Sequence, residues 1–265
     1  MRRSTSMAAS RTSICAPAPW VPARTREASS IRGEDMGCCK LGAPSGRRLE
    51  VYPLFARPGV RALLGRAGAG EADTAVLREI VALEWEQFDR VEGMFGRASC
   101  QDDLQSFFVY RLAQHLAFPR AALPYILDDL RGAETVGRNL VEEKYARMMG
   151  ATDPERYAAT WAARLEVPSP VRAAVLGEIA DLVRARLEEA SRDLSVTSGH
   201  ARGAVSEPGR VSALDYYLAE AAGYRLRTLF ALRDGLLRQE RGRVNAIEDT
   251  YRYTVGLLTA LEATA

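Results

Sequence analysis

Glu84 stands where the surrounding pattern favours an apolar residue. Leu77, Val81, Phe88 and Val91 recur around it at helical spacing, with Ile80 and Trp85 beside them. A carboxylate on that stripe is either buried or turned into an interior pocket. It then needs a cation, a metal or a raised pKa, because an unpaired buried charge is costly. This makes Glu84 a candidate general base or ligand. A second polar cluster follows in the run Gly96 to Asp103, GRASCQDD. Asp102 and Asp103 are candidate acids or ligands, although acids in a first helical turn also suit the helix dipole. Cys100 is a nucleophile only if a neighbouring cation and a helix N-terminus lower its pKa. Gln101 completes the set, which would face Glu84. Arg97 and Arg138 are the candidate cations for an anionic ligand. Asn139, Glu143 and Tyr145 are the remaining ligand-binding candidates, with Tyr110 and Trp85 as further aromatics beside any pocket. Asn139 and Glu142 also form a capping-box pattern, as do Asn245 and Glu248.

The elements that must position these residues are helices. From Asp73 onward nearly every segment has a 3.6-residue period, and β-branched alternation is almost absent. The pattern predicts helices over 73–93, 101–118, 120–133 and 139–149. Asp153-Pro154 and Ser169-Pro170 are caps followed by a first-turn proline. They open helices over 154–164 and 170–193. A polar loop at 194–210 precedes helices near 212–222, 224–240 and 246–263, and Ser99 and Ser212 both read as helix caps. The fold class is all-α.

Two copies of one pattern run through this body. Glu79, Ile80, Leu83 and Phe88 meet Glu178, Ile179, Leu182 and Leu187 at a constant offset. Tyr110, Leu112 and Ala113 meet Tyr216, Leu218 and Ala219 at a second offset. Gly137-Arg138 meets Gly242-Arg243, and Tyr145 meets Tyr251. The expectation is two repeated helical units, 72–150 and 151–265, forming one bundle, with 154–164 as the link. The copies differ at Glu84, whose counterpart is Val183, and at Cys100 and Gln101, found in the first copy alone.

Composition bounds the rest. The chain has 265 residues, 47% apolar and 26% charged, with a net charge of +2. That suffices for a sizeable core and gives no electrostatic signature for nucleic acid. No apolar run approaches the ~18 residues of a spanning helix. No nucleic-acid or membrane partner is expected, and a cytoplasmic location is. All but two of the 36 basic residues are arginine, Lys40 and Lys144 being the exceptions, which reads as a coding bias. Four cysteines without framework spacing suit a reducing compartment. Residues 1–71 read as an extension and linker, disordered, started upstream of Met36, or organelle-targeting. Pro53 and Pro58 break its only apolar run.

EIVALEWEQF (79–88), GRASCQDD (96–103) and GRNLVEEKYARMM (137–149) resemble a bacterial family known as domain of unknown function 4125. The resemblance covers roughly residues 74–265 and is looser in the second copy. It implies no activity. It does imply that the motif residues belong together, around one site in the first unit. Two functions follow. The first is a polar small-molecule pocket, with or without catalysis of an undetermined class. The alternative is a helical scaffold or protein-interaction module, with Glu84 in a buried salt bridge. Carboxylate-bridged di-iron bundles repeat Glu-x-x-His on facing helices, and the helical body has no such pair, so no metal site is expected. Its cofactor is unknown from the sequence.

Overall fold

In a computed structural model the chain is described over residues 46–92, 97–193, 206 and 210–262. Among the described residues there are eleven α-helices and two short 3-10 helices, and no strand. The helices are α1 (Gly46–Ala56), α2 (Pro58–Arg66), α3 (Glu71–Asp89), α4 (Leu104–Ala117), α5 (Leu123–Thr135), α6 (Leu140–Thr152), α7 (Pro154–Thr160), α8 (Pro170–Asp193), α9 (Ala213–Ala221), α10 (Leu226–Arg241) and α11 (Ala246–Glu262). From α3 onward each lies within a few residues of its expected span, because apolar period and caps agree there. Asn139 accepts a hydrogen bond from the Glu142 amide at 2.9 Å and Asp153 from Arg156 at 3.2 Å. Ser212 caps α9 through the Asp215 amide at 3.0 Å. Ser99 does not cap α4. It opens a 3-10 turn (Ser99–Asp102), and Asp103 takes the capping role.

The body begins earlier than the sequence pattern predicts. Residues 46–66 are not linker but α1 and α2, which pack against α3 and α11. Val51, Phe55, Val60, Leu63 and Leu64 are buried there. Pro58 sits in the first turn of α2, where its missing N–H costs nothing. Pro53 lies inside α1 and removes one intrahelical donor, which the burial of Val51 and Phe55 offsets. Polar ties fix the contact. Trp85 donates from Nε1 to Glu50 at 3.1 Å, and Tyr52 donates to Glu79 at 3.0 Å. Arg48 pairs with Glu86. Met36, Lys40, Gly96 and three of the four cysteines (Cys15, Cys38 and Cys39) lie outside the described residues.

Helix α3 packs against α4, α5 and α6, and α8 packs against α9, α10 and α11. Across these two sets α11 lies on α4 and α6 lies on α9. One continuous apolar core joins them, running from Val51 through Leu77, Phe108 and Ile126 to Ile179, Leu232 and Leu261. Neither set has a core of its own. Its members cross at close range. A Cβ on Gly235 of α10 would lie 2.2 Å from the Pro119 ring.

A chain beginning at Ala69 loses five buried apolar side chains, each worth ~1.5–3 kcal/mol. That approaches the whole stability of a domain, ~5–15 kcal/mol. Circular dichroism melts should show the shorter chain molten or unfolded at 25 °C. An unchanged melt would mean that α1 and α2 are accessory.

Candidate functional site

Glu84 is buried, and its partners come from α4. Arg111 binds it in a fork, Nε to Oε2 at 2.8 Å and Nη2 to Oε1 at 2.6 Å. The same guanidinium turns its other edge to Glu220 of α9, Nη1 to Oε2 and Nη2 to Oε1, both at 2.9 Å. Nη1 also donates to Gln114 Oε1 at 2.7 Å. Glu220 accepts three further bonds. They come from Lys144 of α6 at 2.6 Å, from Tyr224 Oη at 2.9 Å and from Gln114 Nε2 at 3.3 Å. Two carboxylates and two cations thus meet in one buried cluster. Paired forks of this kind are the geometry for which arginine is suited.

His115 lies one helical turn beyond Arg111. Its Nε2 stands 2.9 and 3.0 Å from the two Glu84 oxygens and 3.0 Å from Arg111 Nη2. Its Nδ1 is buried and has no hydrogen-bond partner among the described residues. Glu84, His115 and Glu220 could each offer a ligand atom within 4.8 Å of the others. Arg111 already bridges the two carboxylates, however. A divalent ion there would have to displace the guanidinium and would meet Lys144 as well, so the donor set fits an organic cation better than a metal.

The electrostatics follow from this packing. Burial pushes the Glu84 carboxyl up, but Arg111 and His115 outweigh it and hold the group at about 2. Burial acts the same way on Glu220, and Arg111 and Lys144 hold it well below the usual carboxylate range. Both are therefore ionised and weakly basic, which does not favour Glu84 as a general base. Burial and Glu220 push the Tyr224 phenol well up. Tyr216 differs. Burial raises it, yet Lys144 and Arg111 prevail and lower it. The Lys144 ammonium lies 3.6 Å from the Tyr216 ring centroid, and Arg111 Nη1 lies 3.5 Å from its hydroxyl.

The four charged residues of the cluster line a small cleft. Phe107, Val141, Tyr145 and Tyr216 line it and are half-buried; Leu130, Leu140 and Tyr224 line it and are buried, as are the four charged residues. The space has room for about two water molecules. Of the expected site residues, Glu84 and Tyr145 line this cleft. Tyr145 also stacks on Phe88, with ring centroids 5.9 Å apart.

The remaining candidates hold local structure. Gln101 is buried and donates to the Phe88 and Val91 carbonyls at 2.7 and 2.9 Å while accepting from the Ala98 amide at 2.7 Å. It pins the connection between α3 and α4. Arg97 pairs with Asp89 and with exposed Asp102, at 2.6 and 2.9 Å. Asp103 accepts from the Ser106 amide at 2.9 Å. Cys100 is half-buried and packs against the core. Asn139, besides capping α6, donates to the Gln87 carbonyl at 2.8 Å. Glu143 is forked by Arg138 at 2.7 and 2.8 Å and bound by Arg147 at 3.0 Å. Tyr110 is exposed, and Trp85 faces α1.

Arg111, Lys144, Tyr216 and Glu220 were not legible as a set. One signal was present. Lys144 is the one lysine beyond residue 40 in a chain that otherwise uses arginine, and it is 5% exposed. Replacing one member of a buried pair typically costs ~3–5 kcal/mol, so Glu84→Gln should destabilise by about that amount in urea titrations. The pH dependence has a sign. A carboxyl lowered from 4.5 to about 2 stabilises the fold above pH 4.5, and this contribution fades as pH falls towards 2. Glu84→Gln should therefore flatten stability against pH in that window, and an unaltered slope would contradict the pairing.

A family model described as "Protein of unknown function (DUF4125)" matches residues 74–259, from within α3 to within α11. No curated protein and no solved structure matches the chain. The matched span covers every charged residue of the cluster and leaves out α1 and α2. The chain belongs to the DUF4125 family of proteins of unknown function.

Proposed function

We propose that this protein binds a small polar molecule in the cleft between α3, α4, α6 and α9, with Lys144 and Tyr216 as its polar contacts. The observation that carries this reading is the position of the ionic cluster. Its charged residues line the cleft, and Tyr216 lines it half-buried with the Lys144 ammonium against its ring. An ion-pair network buried in a core adds less stability than well-packed apolar side chains of equal volume. A cluster retained at a cleft is better accounted for by recognition than by stability. The duplication read in the sequence supports the same side of the bundle. The counterpart of Glu84 is Val183, itself buried, and the counterpart of His115 is Ala221.

The second reading, a scaffold in which the cluster only aligns helices, is favoured by one observation. Glu84 sits in a bidentate buried ion pair. The two readings separate at Lys144, because a scaffold has no use for a particular ligand. Lys144→Met keeps the side-chain length and leaves Glu220 with both Arg111 bonds. A thermal-shift screen of the full chain with amino acids, nucleotides, sugars, phosphorylated metabolites and divalent metals tests this. The expected result is a saturable rise of several degrees with one compound class, reduced at least tenfold in apparent affinity by Lys144→Met. A compound that shifts both proteins equally binds elsewhere. No shift with any class favours the scaffold.

A further inference from the structure

Arg138 is a candidate cation for an anionic ligand, and it does not line the cleft. It belongs to a second ionic cluster, built from α6, α8 and the turn between α9 and α10. Arg138 and Arg147 share Glu143, each donating from Nη2 to its Oε2, at 2.8 and 3.0 Å. Arg172 of α8 donates from Nη2 to the Ala222 and Tyr224 carbonyls, both at 2.7 Å. Gly223 lies between those two residues, and a Cβ on it would lie 3.6 Å from Arg147 Nη1. The guanidiniums of Arg147 and Arg172 therefore lie against the same turn. Their side chains are 13% and 12% exposed. Each keeps a buried donor with no hydrogen-bond partner among the described residues, Nη1 of Arg147 and Nε of Arg172. A buried donor without an acceptor is costly, and two on neighbouring cations call for one.

The charges of this cluster do not balance. Three guanidiniums face two carboxylates, Glu143 and Glu166. Glu166 accepts from Arg172 Nη1 at 2.9 Å, yet its side chain is 65% exposed. An ion pair so exposed adds little stability. Asp129 also acts on Arg138, but it is held by Arg225, through the amide at 2.8 Å and Nε at 3.7 Å. Lys144, on the same helix as Glu143, is committed to Glu220. Burial, Arg172 and Arg138 lower the Arg147 pKa despite Glu143, as befits a cation with too little compensation.

We propose that Arg138, Arg147 and Arg172 form a second binding site, one for a phosphoryl group, and that Glu166 holds its place on Arg172 until the ligand displaces it. This goes beyond the cleft reading and does not rest on it. Arg138, 42% exposed, and Glu166 face water and give the ligand its way in. With Glu166 released into water, three guanidiniums face Glu143 alone. That leaves two positive charges, which a phosphoryl dianion matches and a single carboxylate does not. Arginine forks also suit the oxygens of phosphate. The group is either free phosphate or the phosphoryl end of an ester.

Thermal shifts of the full chain test this at about pH 8, above the phosphate-ester second pKa of ~6. The probes are inorganic phosphate, glycerol phosphate and acetate, each against sodium chloride at equal ionic strength. The expected result is a saturable rise with the phosphates and little with acetate. A stronger response to glycerol phosphate assigns the group to an ester, and a stronger response to inorganic phosphate assigns it to the free ion. Glu166→Gln removes the competing charge and should tighten phosphate about threefold, which a merely structural cluster would not show. Arg172→Gln should weaken it about tenfold. Lys144→Met should leave it unchanged, which separates this site from the cleft. If Arg172→Gln does not fold, Glu166→Gln decides, because its exposed side chain carries little packing. A response no larger than that to chloride overturns the proposal. So do equal responses to acetate and phosphate, an affinity unaltered by Glu166→Gln, or one lost in Lys144→Met.

Discussion

The guanidinium of Arg111 is the point on which four helices agree. It must satisfy Glu84 from α3 and Glu220 from α9 at once, while Gln114 and His115 hold it from within α4. Lys144 supplies the second cation from α6. A bidentate contact leaves little freedom in distance or angle, and here there are two on opposite edges of one planar group. The apolar core that encloses them tolerates small slips by repacking side chains. The cluster does not, because any displacement leaves a charge buried without a partner. The ionic centre therefore sets the relative placement of α3, α4, α6 and α9, and the surrounding leucines and phenylalanines supply most of the driving force.

The helices were legible because each carries its own evidence. A stripe such as Val175, Ile179 and Leu182 identifies its helix without reference to any other. Caps such as Asn139 and Asp153 mark the boundaries in the same local way. α1 was hidden because Pro53 and Pro58 read as breaks. The burial that offsets Pro53 comes from α3 and α4, which no local pattern contains. Glu84 was legible as an anomaly for the same reason that the stripes were. A lone carboxylate in an apolar row is visible on one helix. Its partners were not, because Arg111 and His115 lie on α4, and Glu220 and Lys144, which complete the cluster, lie on α9 and α6. Residues 97–103 are a different case. Polar residues close together in sequence suggested a shared site, yet Gln101, Asp103 and Arg97 are engaged in closing the turn between α3 and α4.

Lysine usage shows how composition can conceal a position. A chain that writes nearly all its cations as arginine makes a single lysine look incidental. At residue 144 the shorter, point-like ammonium reaches one Glu220 oxygen and lies against the Tyr216 ring at the same time. A planar guanidinium is larger and directs its donors in a fixed fork. The space between α6 and α9 is thus matched to a compact cation.

The division of charge along the chain has a consequence for assembly. Glu84, Arg111 and Lys144 all precede α8, and together they leave one positive charge over. Glu220 follows it and holds the compensating negative charge. Cut between α8 and α9, the chain would yield two pieces, each exposing apolar surface and each bearing the half of an ion cluster that only the other completes. Such halves are keyed to one another by electrostatics as well as by shape, so the second half of the chain is selected for its place during folding and not merely collapsed onto the first.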